Sequence, residues 1–116
     1  MIAIIDSGGA NIASIKFALE RCGADARLTA ESAEIESADK VILPGVGMAA
    51  TAMSQLRQYG LVDCIRKLRQ PVLGVCLGMQ LLFEHSSEGD TKLLGILSGS
   101  CHRFADAPGR SVPHMG

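Results

Sequence analysis

Tryptophan is absent from this chain, and one tyrosine with three phenylalanines brings aromatic residues to only 3% of its 116 positions. A chain of this length is long enough for one domain with a true core. That core has to be assembled from Ile, Leu, Val, Ala and Met, which supply most of the 47% of residues that are hydrophobic. Strong charge of either sign is missing too: the formal net charge is −1, and both signs are mixed along the sequence. Without a basic stripe or basic residues interleaved with aromatics, nucleic acid is not an expected partner. No apolar run reaches the roughly 18 residues of a membrane-spanning helix, so no membrane partner is expected either. The opening segment MIAIIDSGG turns polar at Asp6 and has no basic flank, unlike a signal peptide. A cytoplasmic protein is the expectation. C-x-x-C pairs are also lacking. Cys22, Cys64, Cys76 and Cys101 stand far apart, which argues against a zinc or thioredoxin-type site. No metal or cofactor is expected, and a reducing compartment does not favour disulfides.

What the chain does have is an alternation of short apolar runs with helix-period segments. MIAII (1–5) reads as a strand buried on both faces, followed by the turn-rich DSGGAN. Asn11 can cap a helix with the stripe Ile12, Ile15, Leu19 and Cys22, stopped by Gly23. On that stripe Cys22 is a packing residue, as Cys64 is on a later one. ADARLT is a weaker strand signal, and ESAEIESAD reads as a polar connection. KVILPG (40–45) repeats the strand-then-turn pattern. Met48, Ala52, Gln55, Leu56 and Tyr59 mark a helix that Leu61, Ile65 and Leu68 extend past Gly60 until Gln70-Pro71 breaks it. PVLGVC is the third strong strand, and Gly78 to His85 forms a short helix. LLGIL and SCHRFA look like short strands, and DAPGRSVPHMG is rich in turn residues. This order implies an α/β protein with an open, mostly parallel, doubly wound sheet. In such sheets the ligand crevice lies at the carboxyl ends of the strands, where the glycine-rich loops DSGGAN, PGVG and VCLG should converge.

One of those loops carries a candidate nucleophile. Gly74-Val75-Cys76-Leu77-Gly78 has the nucleophile-elbow pattern with cysteine in the serine position. Its glycines permit a tight strand-to-helix turn, which exposes the sulfur at a helix N-terminus, where the thiolate is favoured. Structurally, the same glycines can simply ease strand–helix packing. The PGVG loop (Gly45, Val46, Gly47) offers backbone donors for the oxyanion that forms when a nucleophile attacks a carbonyl, and the amide of Leu77 offers another. Phosphate-binding patterns such as G-x-x-x-x-G-K-[ST] and G-x-G-x-x-G are missing.

LPGVG and PVLGVCLGMQLLFEHSSEG together resemble the class I (triad) glutamine amidotransferases. DSGGAN and the terminal VPHMG narrow the resemblance to the glutaminase subunits of imidazole glycerol phosphate synthase, in histidine biosynthesis. The resemblance implies that Cys76 attacks glutamine, releases ammonia and forms a glutamyl thioester that water hydrolyses. It further implies that Gly45, Val46, Gly47 and Leu77 form the oxyanion hole and that Gln80 and Glu88 contact glutamine. Ammonia then passes to a β/α-barrel cyclase subunit in a heterodimer, with Asn11, His114, Met115 and Gly116 facing that partner.

The family's triad is completed by a downstream H-x-E, and none of His85, His102 or His114 begins that pattern. His85 reads as the end of the elbow helix, His102 as part of a strand, and His114 as part of the partner-facing segment. The chain thus reads as the N-terminal part (1–116) of a single amidotransferase domain without its base, inactive alone. Two other readings compete: an elbow-cysteine redox or chaperone-like member of the same superfamily, and a non-catalytic docking module.

Overall fold

A computed structural model describes residues 1–8 and 12–112. Each strong apolar run forms a strand: β1 (Ile2–Ile5), β3 (Lys40–Leu43) and β4 (Val72–Gly74), joined by β2 (Ala26–Thr29) from the weaker signal. All pair in parallel, in the order β2-β1-β3-β4. The intervening helices are α1 (Ile12–Arg21), α2 (Ser32–Ser37), α3 (Ala49–Gln58) and α4 (Leu61–Lys67), and α5 (Leu77–Leu81) follows β4.

The order of the strands dictates where the helices lie. From β1 to β2 the chain moves one way across the sheet, and from β2 to β3 to β4 it moves the other way. Right-handed crossovers therefore put α1 on one face and the later helices on the opposite one. Successive strand residues alternate between the faces. Ala3, Ile5, Val41 and Leu43 join Ile35, Met53, Leu56, Leu61, Ile65 and Leu81 in one dry core. The alternate residues Ile4 and Ile42 are also buried but lie outside that core, on the opposite face of the sheet. The sheet is doubly wound, as the pattern implies.

Beyond α5 a small second sheet forms from β5 (His85–Ser86), β6 (Thr91–Lys92) and β7 (Ser100–Cys101). In it β5 pairs antiparallel with β6 and parallel with β7. A one-turn 3₁₀ helix, Glu88–Asp90, closes the β5–β6 connection. Among the described residues no helix is long and apolar enough to cross a membrane.

Several local expectations are corrected. ESAEIESAD is not merely a connection. It contains α2, held to the sheet by the single fully buried Ile35 among charged neighbours, too few apolar positions to show a period. Cys22 is exposed rather than packed, because α1 ends at Arg21 and Cys22 lies in the terminal turn before Gly23, whose φ is 70°. Met48 and Tyr59 flank α3 and face solvent, while Met53 takes the inward position. Gly60, at φ 68°, divides the expected long helix into α3 and α4. The elbow helix is α5 and stops at Leu81, so His85 begins a strand instead of ending a helix. LLGIL is not a strand. Its amides wrap the end of α5, with Leu94 donating to the Leu81 carbonyl, Ile96 and Leu97 to Leu82, and Gly95 to Phe83. These bonds satisfy carbonyls that a helix end leaves without partners. Of SCHRFA, only Ser100–Cys101 is strand.

Candidate active site

The loops after β1, β3 and β4 leave the same end of the parallel sheet, and the strand order reverses between β1 and β3. A crevice is expected outside such a reversal. The site's densest geometry lies next to it, where β4 turns into α5.

Cys76 occupies that turn at φ 54° and ψ −122°, and its side chain is exposed. Among the described residues only Asp90 is another non-glycine with positive φ. A cysteine is held in this sparsely populated conformation only where its surroundings over-determine the backbone. The glycines around it supply that constraint. A Cβ on Gly78 would lie 1.9 Å from the Leu43 carbonyl oxygen, and one on Gly74 would lie 2.6 Å from the Met79 Cα. Strand β3, the elbow and α5 are thus packed backbone to backbone, at distances no other residue type allows.

PGVG lies against the same turn. A Cβ on Gly45 would meet the Gly78 nitrogen at 2.7 Å and the Leu77 Cβ at 3.1 Å. Gly45 and the buried Leu77 are therefore brought together. Val46 and Gly47 project outward from this contact, and a Cβ on Gly47, at φ 85°, would meet no heavy atom within 4 Å. A recess of about 350 Å³ lies between these residues, Ser7, Gly8 and the first turns of α3.

Gln80 and Glu88 share a second recess, of about 650 Å³, with Met79, Ser86, Ser87, Cys101, His102 and Arg103. Glu88 has a further contact that its sequence position did not indicate: its Oε1 accepts the Ala49 N–H at 3.1 Å. The N-cap residue of α3, Met48, has no side-chain acceptor for that helix start, and Glu88 supplies one from 39 residues away. A carboxylate is also the sign of charge that a helix N-terminus stabilises. Gln55 is the other residue whose role was missed. With its NH₂ facing them, its side-chain amide donates to the carbonyls of Ser7 and Gly8, the latter at 3.2 Å. A polar amide on an otherwise apolar helix stripe was the available signal.

Among the described residues no hydrogen bond joins a histidine to Cys76. The Nε2 of His85 pairs with Asp90 Oδ1 at 2.6 Å across the β5–β6 turn, and His102 is exposed just beyond β7. His114, Met115, Gly116 and Asn11 lie outside the described residues. Cys64 is buried against α2, its Sγ 3.9 Å from the Ser32 carbonyl, and burial pushes its thiol above the ordinary 9.0. Among the described residues no group of three or more His, Cys, Asp or Glu is placed to hold a metal ion.

Residues 3–112 match the family model for glutamine amidotransferase class-I. The chain belongs to this family. Similar curated proteins include the imidazole glycerol phosphate synthase subunit HisH of Xanthomonas axonopodis pv. citri (strain 306), 55% identical over 115 residues. The protein of the same name from Xylella fastidiosa (strain Temecula1) is 50% identical over 115 residues. In both comparisons 99% of this amidotransferase chain is covered, and it spans 58% of the relative's length. A crystal structure of a glutamine amidotransferase superposes with a TM-score of 0.77 at 27% identity, over 96% of this chain and 59% of the other. The parallel sheet is thus that of an amidotransferase domain.

Proposed function

We propose that this chain is the nucleophile-bearing part of a glutaminase subunit of imidazole glycerol phosphate synthase, supplying ammonia to a cyclase subunit in histidine biosynthesis. The observation that carries this reading is the strained Cys76 elbow with Gly45 packed against Leu77 and Gly78. The Cys76 thiolate attacks the carboxamide carbon of glutamine, forming the C–S bond and placing negative charge on the carbonyl oxygen. The Leu77 amide and an amide of the Gly45–Gly47 segment stabilise that charge, the largest single term in many acyl transfers. Collapse breaks the C–N bond, and the nitrogen takes up a proton and leaves as ammonia. Water then attacks the thioester, breaking the C–S bond to give glutamate and the free thiol.

Gln80 and Glu88 line the recess that takes the amino-acid end of the substrate. Glu88 uses one carboxylate oxygen on Ala49, and the other is available to the substrate's ammonium group. Proton transfers to sulfur, nitrogen and water need a base matched to the task. His85 is paired with Asp90, and no histidine of the chain begins an H-x-E. We assign the base to a segment beyond this chain, so the 116 residues alone turn over little glutamine. Asn11 and His114–Gly116 are the proposed partner-facing positions.

The test is ammonia release from glutamine by this chain and by a chain of the relatives' full length, each with and without the cyclase. Activity is expected in the longer chain, stimulated by the cyclase and abolished by Cys76→Ala. Full activity in the Cys76→Ala variant, or robust turnover by the 116-residue chain, would overturn the assignment of nucleophile or base respectively.

A further inference from the structure

We propose that Gln55 is a positioning residue that holds the 6–8 loop and the Gly45–Met48 segment in one geometry, so that the oxyanion backbone is set from β1 as well as from β3. The proposal deepens the glutaminase reading and rests on it for its catalytic consequence.

The 6–8 loop closes on itself through the Gly8 N–H, which donates to Asp6 Oδ1 at 3.1 Å. Ser7 is buried, and a buried backbone carbonyl has to find a partner. Its partner is the Gln55 amide, which also donates to the carbonyl of Gly8. The amide lies close over Gly8: a Cβ there, at φ 73°, would be 3.2 Å from Gln55 Cδ. One side chain thus takes two successive carbonyls of the loop and packs on its glycine.

The other end of this link is mechanical. Gln55 stands six positions after Ala49, the first residue of α3, or about 9 Å along a helix that rises 1.5 Å per residue. Ala49 follows Gly47 and Met48 directly, and its N–H is held by Glu88. A helix pinned at its start by Glu88 and in its second turn by the 6–8 loop leaves the preceding Gly45–Gly47 backbone little room to rotate. Without Gln55, the segment is held by Glu88 on Ala49, by the Ala52 N–H on the Met48 carbonyl and by the packing of Gly45 on Leu77 and Gly78, but no longer from the 6–8 loop. The 350 Å³ recess bounded by Ser7, Gly8, Gly45–Met48 and Gln55 is the space into which it would relax.

Two variants separate donor from shape. Gln55→Leu keeps the volume and removes both donors, whereas Gln55→Lys keeps a donor for the carbonyls. Amide hydrogen exchange on the 116-residue chain is the first readout. In Gln55→Leu, exchange is expected to accelerate at residues 45–49 as well as at 6–8, with β2 and α4 unchanged, and Gln55→Lys should recover most of the protection. Acceleration confined to 6–8, or a lysine variant as loose as the leucine one, would overturn the proposal.

The second readout is the rate at which a chloroketone analogue of glutamine alkylates Cys76, divided by the rate with iodoacetamide. Iodoacetamide reads the elbow, and the analogue also reads the oxyanion segment. The ratio should fall at least tenfold in Gln55→Leu, since a misplacement of about 1 Å can cost roughly 10² in rate. An unchanged ratio in a variant with loosened 45–49 amides would overturn the positioning role. The labelling is run on a chain of the relatives' full length; if the analogue fails to label Cys76 there in the unmodified protein, the glutaminase reading is overturned and the exchange experiment alone decides the coupling.

Discussion

Replacing Cys76 by glycine should stabilise the fold relative to replacing it by alanine, although glycine is ordinarily the worse residue. Both substitutions delete the sulfur, so the comparison isolates the Cβ. At φ 54° and ψ −122° that Cβ is strained, and conformations of this kind cost on the order of 1–3 kcal/mol. Glycine relieves the strain but adds conformational entropy to the unfolded chain, a loss of roughly 0.5–1 kcal/mol. The balance favours glycine by about 1 kcal/mol, from approximate equality to about 2.5 kcal/mol at the extremes. With a urea slope of about 1–3 kcal/mol/M for small proteins, the midpoint should rise by on the order of 0.5 M. Ser54, exposed in α3, provides the control. There Ser54→Gly should be less stable than Ser54→Ala by about 1 kcal/mol, the usual helix penalty. The assay is equilibrium urea unfolding of the four variants, followed by far-ultraviolet circular dichroism. If alanine is the more stable substitution at position 76 as it is at position 54, the elbow is not strained and the over-determined backbone invoked for it does not exist.

Two further predictions test the packing of the same region and the buried thiol. Gly78→Ala puts a Cβ 1.9 Å from the Leu43 oxygen, so backbone must move by more than an ångström. A loss of about 3 kcal/mol, the upper end for overpacking, is expected despite alanine's better helix propensity, and urea unfolding with unchanged stability would refute the contact. Cys64 should resist alkylation in the folded chain while Cys22 and Cys76 react, which mass mapping after brief treatment would check. Burial raises the folded thiol above 9.0 while the unfolded one stays near it. Its contribution is therefore constant below that pH and is lost as pH rises from there through the folded pKa. Cys64→Ala should flatten this alkaline slope, and an unchanged slope would show that the buried thiol does not cause it.

Much of the architecture was legible because continuous apolar runs and glycine punctuation are local signals. MIAII, KVIL and PVLG each gave a parallel strand, and the turn residues after them gave the loops at the sheet's carboxyl end. What escaped was set by contacts distant in sequence. Ile35 alone fixes α2, so no hydrophobic period announced it. LLGIL has the composition of a strand, but its amides are taken by the end of α5. Cys22 continues the stripe of α1 in the sequence, yet the helix stops one residue short of it. The elbow was legible as a glycine pattern, whereas the reason for each glycine, a backbone atom under 3 Å from its missing Cβ, is visible only in three dimensions. Gln55 and Glu88 show the same limit, since bonding partners 39 or more residues apart leave no trace in spacing.

The position of β4 at the end of the strand order has a consequence for how such a site can be completed. Among the described residues β4 pairs with β3 on one side and with no strand on the other, and Leu73 on its outer part is 59% exposed. An open edge of this kind is a template for strand addition. A strand added there in parallel would run in the same direction as β4 and release its following loop at the same end of the sheet, beside Cys76. Added antiparallel, it would begin there instead. In either case the terminus of the newcomer becomes a wall of the crevice, so residues capable of proton transfer can reach the nucleophile without any rearrangement of the elbow. The edge also gives the isolated chain a means of self-recognition, because a second β4 meets the same unsatisfied backbone, and self-association should rise with concentration.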